Sequence, residues 1–123
     1  MKKINFFVAI IIALITFQQA NAQSDKYERT PGFKKETIKV FGECSMSKHR
    51  IENAVKSIEG VRSASWDINS KLLKIEYSIF KKDMPDVIRK KLTALGHDTD
   101  KLKADDMAYQ KLPVCCRYER QSN

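Results

Sequence analysis

The chain has 123 residues, and its Lys and Arg outnumber Asp and Glu by 23 to 15, for a net charge of +8. That length holds one small domain and excludes two. The basic residues are interleaved with acids such as Glu52, Asp67 and Asp83, and no nucleic-acid reader motif accompanies them. Nucleic-acid binding is therefore set aside in favour of an acidic partner or an anionic surface.

Lys2 and Lys3 precede an apolar run from Phe6 to Phe17, and Ala20-Asn21-Ala22 then supplies the small residues of a cleavage site. Residues 1–22 read as a signal peptide. The apolar run is shorter than the roughly 20 residues of a membrane span. The expectation is an exported chain, periplasmic or secreted, with no stable membrane insertion after cleavage. Such a compartment permits disulfides. Residues 23–35 are polar, contain Pro31-Gly32 and show no period, so they read as a flexible linker. A domain is expected over 36–100 and a C-terminal extension over 101–123.

Ile38 and Val40 alternate with Lys39 and Phe41 as a short strand. From about Ser47 the period changes: Ile51, Ala54, Val55 and Ile58 form one helical stripe, with Ser47 as a good N-cap and Gly60 as a left-handed stop. Two alternating runs follow, Ala64/Trp66/Ile68 and Leu73/Ile75/Tyr77/Ile79, on either side of the turn residues Asn69-Ser70. They predict an antiparallel hairpin with Trp66 and Tyr77 facing inward. Asp83, Pro85 and Asp86 mark a second helix start, with Val87, Ile88, Leu92 and Leu95 as its apolar face and Gly96 as its end. His97–Asp100 reads as a short final edge strand, and Asp105–Leu112 as a turn or two of helix before Pro113. The order is β-α-β-β-α-β, an α+β, ferredoxin-like sandwich with two helices on one face of a four-stranded sheet.

Three cysteines carry the chemistry. Cys44 lies at the strand-to-helix turn in Gly42-Glu-Cys-Ser-Met-Ser47, where backbone N–H groups and a helix start favour the thiolate. Cys115 and Cys116 are adjacent in the tail. An odd count leaves at least one thiol free, metal-bound or paired with another molecule. The tail pair admits three readings: metal ligation with Cys44, a disulfide within the pair or to Cys44, or plain packing under the tail. Met46 and His49 are weaker candidate ligands. His97 is expected to satisfy a loop hydrogen bond or to sit as a cation at a helix C-terminus. No Ser-His-Asp set, phosphate loop or His-Glu-x-x-His motif is present, so no enzyme is expected.

The run Gly42-x-Cys44-x-x-Ser47, with Gly60-Val61 and Ala94-Leu-Gly-His97, resembles the heavy-metal-associated (HMA) domain, the fold of small copper chaperones and mercury-binding periplasmic proteins. The family's usual Gly-Met-x-Cys-x-x-Cys grips one soft ion with two thiolates. Here Glu43 precedes Cys44 and Ser47 replaces the second cysteine. The tail is similar to a Cys-Cys extension on exported bacterial members. The resemblance implies binding of Cu(I) or another soft ion, with Zn, Hg and Cd as alternatives. It also implies service as a carrier, scavenger or accessory of a metal-transporting membrane protein. On this reading Cys44 anchors the ion, and Cys115 and Cys116, on a mobile tail, replace the thiolate lost at Ser47. Two competing expectations are a thiol-disulfide protein and a degenerate HMA domain working as an interaction module, with basic helix residues such as Lys48, Arg50, Arg89 and Lys90 as its working surface.

Overall fold

A computed structural model describes residues 32–122; the signal-peptide reading and most of the linker reading lie outside them. Three strands form among the described residues: β1 (Phe33–Lys39), which buries Ile38, and the two with alternating burial, β2 (Val61–Trp66) and β3 (Leu72–Ser78). β3 is central, antiparallel to both neighbours, in the order β1-β3-β2. Ile38 and Trp66 both lie opposite Leu73, which sets the inward phase of the sheet. Trp66 and Tyr77 are core residues, 1% and 2% exposed. Helix α1 (Ser45–Lys56) buries Ser47, Ile51 and Val55 against the sheet, and α2 (Met84–Ala94) buries Met84, Ile88 and Leu92. Burying each such aliphatic side chain contributes about 1.5–3 kcal/mol.

Several expectations need correction. β1 starts at Phe33 rather than near Glu36, so the strand takes in the last residues assigned to the linker. The fourth strand shrinks to one bridge, Val40 to Thr99, leaving a three-stranded sheet. The cause is local: Thr99 N–H bonds to the Leu102 carbonyl (2.8 Å) and Leu102 N–H to Thr99 Oγ1 (3.1 Å), so the chain turns before a ladder can form. Ile79 and Val87, assigned to apolar faces, are 48% and 45% exposed. Gly60 sits at φ +96° beyond the helix, which ends at Lys56 with Ser57 as its right-handed C-cap.

The basic face is also thinner than expected. Arg89 is buried, with Nε 2.8 Å and Nη2 3.3 Å from the two carboxylate oxygens of Asp100. Lys48 donates to Glu52 and to the Trp66 carbonyl (2.7 Å). Both cations stitch the fold together.

After α2 the chain makes a short helix, α3 (Asp106–Gln110), and a 3-10 turn, Val114–Cys116. These do not hang free. Leu112, Cys116 and Tyr118 form a second apolar cluster packed on Phe41, Cys44 and Tyr109. The tail therefore folds back over the loop between β1 and α1.

Candidate metal centre

The β1–α1 loop, Val40 to Cys44, is held by its own carbonyls. Trp66 Nε1–H donates to the Val40 carbonyl (3.0 Å), and Lys71 Nζ to that of Gly42 (2.6 Å). His97 Nδ1 lies 2.9 Å from the Phe41 carbonyl and, facing an acceptor, carries its proton on that nitrogen. Three side chains from β2, the β2–β3 turn and the end of α2 thus fix three consecutive peptides. Gly42 is required for a steric reason: a Cβ there would lie 2.9 Å from Ser47 Cβ and 3.1 Å from the Trp66 ring. The loop approaches the core as closely as backbone can.

His97 accordingly satisfies a loop hydrogen bond and is no cation. It is fully buried, and burial pushes its pKa below the ordinary imidazole range, with the Phe41 carbonyl opposing the shift. The clamping roles of Trp66 Nε1 and Lys71 escaped sequence reasoning, because nothing local to either residue signals a partner 26 or 29 positions away.

Ser47 is not the helix cap. Cys44 occupies that position, in extended backbone (φ −140°, ψ 176°), and Ser47 is fully buried in the first turn. Its hydroxyl accepts from Glu43 N–H (3.2 Å) and lies 3.8 Å from Cys44 Sγ. Serine fits this niche as a hydrogen-bonding spacer under the thiol.

The tail brings the other sulfurs to the loop. Cys44 Sγ and Cys116 Sγ are 3.7 Å apart, Cys116 Sγ and Cys115 Sγ 4.0 Å, and all three Sγ atoms lie within 4.8 Å of one another. They form the one group of three or more Cys, His, Asp or Glu donors among the described residues with this convergence. No disulfide joins them. Exposure grades outward: Cys116 buried, Cys44 intermediate, Cys115 exposed. Met46, 46% exposed, has its Sδ 3.9 Å from Cys115 Sγ. His49 is exposed and stands outside the cluster.

Burial works against ionising Cys44. The Ser47 backbone N–H and hydroxyl, with the Cys115 and Cys116 thiols, outweigh it and bring its pKa down to about 7. Cys115 is driven the other way, to about 11, first because its proton is shared with Cys44 and then by burial. Of Cys44 and Cys115, Cys44 is therefore the sulfur that ionises first.

The tail's anchorage contradicts a mobile ligand arm. Tyr118 Oη accepts from Asp98 N–H (2.7 Å) and donates to the Gly96 carbonyl (2.8 Å), both buried. Its ring stacks near His97 and meets Tyr109 edge-on. Arg120 grips Asp98 with Nε at 3.0 Å and Nη2 at 2.9 Å, while the same carboxylate accepts from Ala104 N–H (2.7 Å). These bonds place Cys116 beneath the loop as a fixed wall.

A ferredoxin-like domain with a thiol at its first strand-to-helix turn defines a small α+β sulfur-site protein. The family model of the heavy-metal-associated domain matches residues 37–98, and the chain belongs to that family. The match ends before the tail, so two of the three sulfurs lie beyond it. Among solved structures, the chain is similar to one titled CopZ metallochaperone, with 24% identity and a TM-score of 0.50 over 54% of this chain and 98% of that one. It is also similar to the N-terminal domain of the zinc(II) ATPase ZiaA in its apo form: 24% identity, TM-score 0.48, 74% of this chain and 87% of that one. No curated protein matches.

Proposed function

We propose that the chain carries a soft heavy-metal ion, Cu(I) foremost, held by the thiolates of Cys44, Cys115 and Cys116. The observation that carries this reading is the convergence of three sulfurs on one point. Sulfurs about 2.3 Å from a shared ion at trigonal or tetrahedral angles stand roughly 3.8–4.0 Å apart. The Cys44–Cys116 and Cys115–Cys116 separations, 3.7 and 4.0 Å, match that requirement, and the third pair lies within 4.8 Å, a short closure from it. Thiolates select soft ions, and Zn(II), Cd(II) and Hg(II) accept the same set. Membership of the heavy-metal-associated family supports the same class of cargo.

The clamped tail assigns the moving part of the site to ligand exchange at its open side. Cys115, exposed, would be the first cysteine to meet an ion and the first to release it, ahead of buried Cys116 and half-buried Cys44. The leader-like pattern of Lys2, Lys3, Phe6–Phe17 and Ala20–Ala22 supports export. In that compartment the carrier would serve a metal-transporting membrane protein. It has no need of catalytic groups, since delivery by exchange between thiolates requires none.

One observation favours a second reading. Cys44 Sγ and Cys116 Sγ are close enough to join as a disulfide, with two protons and two electrons passing to an oxidised dithiol partner. Metal and thiol counting separates the two. Under reducing, anaerobic conditions the metal reading expects one Cu(I) per chain and three thiols protected by it. Cys44→Ser and the double substitution of Cys115 and Cys116 by Ser should each abolish stoichiometric binding. If the doubly substituted chain holds Cu(I) as tightly as the unsubstituted one, the three-thiolate site is wrong.

A further inference from the structure

The sulfur cluster does not end at Cys115. Its outermost neighbour is Met46, with Sδ 3.9 Å from Cys115 Sγ, so the spacings 3.7, 4.0 and 3.9 Å trace an unbroken file of four sulfurs, Cys44–Cys116–Cys115–Met46, that ends at solvent. Met46 sits in the first turn of α1, yet it is 46% exposed while Ile51 and Val55 of the same helix are fully buried. Packing gives no reason for a large apolar side chain at this place. Chemistry gives one: a thioether is a soft neutral donor with no proton to displace before it can bind. Zinc, by contrast, takes thiolate, imidazole and carboxylate.

We propose that the Met46 thioether is the landing ligand of this centre, capturing a monovalent soft ion, Cu(I) or Ag(I), together with Cys115 before the ion moves inward to Cys44 and Cys116. This rests on the three-thiolate reading and adds to it an entry order and a choice of cargo. The geometry suits a hand-to-hand movement. Each successive pair of sulfurs is close enough to share one ion, so every step forms a new sulfur–metal bond before an old one breaks. The first bond is the cheapest, because Met46 faces water and binds without losing a proton; Cys115 then releases its thiol proton to solvent as its sulfur bonds to the ion. A neutral sulfur also offers the incoming monovalent ion a donor at the mouth of the site without adding negative charge there. Zn(II) and Cd(II) gain less from a neutral thioether than from a thiolate and begin on the cysteines.

The test is Met46→Leu in the intact chain, a volume-conserving change at a half-exposed position that leaves the fold undisturbed. Loading is followed with a Cu(I)–chelator complex and with Ag(I), and separately with Cd(II). Loss of this ligand should slow Cu(I) and Ag(I) uptake by about tenfold or more, at least what a metal site loses with a mere supporting partner. Cd(II) uptake and affinity should stay at the unsubstituted level. With substoichiometric Ag(I), the Met46 methyl NMR signal should shift, and with Cd(II) it should not. Unchanged Cu(I) uptake by the Leu variant overturns the proposal, and so does equal slowing for Cd(II), which would mark a structural role. A chain that binds no metal with Met46 present overturns instead the three-thiolate reading beneath it, a result Cys44→Ser would not alter.

Discussion

Replacing Tyr118 by Phe removes one oxygen and two hydrogen bonds, and it isolates the clamp that holds the tail. The hydroxyl is buried between Asp98 N–H and the Gly96 carbonyl, so its loss leaves one donor and one acceptor without partners. An unsatisfied buried polar group costs about 1–3 kcal/mol. Phe keeps the ring contacts with Phe41, His97 and Tyr109. Allowing for partial relaxation, about 2–3 kcal/mol of tail docking is lost, which raises the open population roughly 30- to 150-fold. Cys116 is fully buried and reports opening directly. In metal-free protein, its alkylation by a maleimide, followed by mass spectrometry, should accelerate by that factor. Alkylation of half-buried Cys44 should change far less. If Cys116 in Tyr118→Phe reacts at the unsubstituted rate, the tail is not held by this hydroxyl. If Cys44 accelerates equally, the substitution loosens the whole domain and the tail has no separate clamp.

Three further outcomes are expected. The alkylation rate of Cys44 in metal-free protein should rise with pH through a midpoint near 7, while the more exposed Cys115 stays slow until about 11; a faster Cys115 at neutral pH would contradict the shared-proton arrangement. Burial raises the Asp98 pKa, but the bonds from Arg120 and from Ala104 N–H prevail and hold it below the usual carboxylate range. The stability it confers is therefore complete above about pH 4 and lost as pH falls through the lower folded value. Cys116 labelling should accordingly rise under acid in the unsubstituted chain, and Arg120→Ala should flatten that acid dependence; an unaltered profile would refute the Asp98–Arg120 clamp. Finally, Ser47→Cys in a chain whose Cys115 and Cys116 are both Ser should restore binding of one soft ion, because position 47 already lies beside Cys44. A folded chain that fails to recover binding would show that the loop alone cannot grip an ion.

Much of this architecture is legible in the residues. The stripe Ile51, Val55 and the alternation Leu73, Ile75, Tyr77 are local patterns, and local patterns survive folding when burial reinforces them. Ser47 misleads because its propensity is for a cap, whereas the site needs a small buried hydroxyl under Cys44; tertiary packing overrides the preference. The fourth strand fails for a reason no period reveals. Asp98 and Thr99 spend their polar groups on Arg120, Ala104 and Leu102, which turns the chain aside. That same spending anchors the tail, so the missing strand and the fixed position of Cys116 have one cause. The tail's return could be expected from the cysteines, but its rigidity could not, since Tyr118 and Arg120 find partners about 20 residues upstream. The clamped carbonyls of Val40, Phe41 and Gly42 are likewise long-range contacts.

The number of sulfurs around one ion decides whether the three cysteines act as a single centre. X-ray absorption at the metal edge of the chain loaded with one equivalent of Cu(I) counts them directly. Three sulfur neighbours at about 2.3 Å, falling to two in Cys115→Ser and in Cys116→Ser alike, is the predicted result. A coordination shell unchanged by either substitution, or completed by nitrogen and oxygen around Cys44 alone, would contradict it.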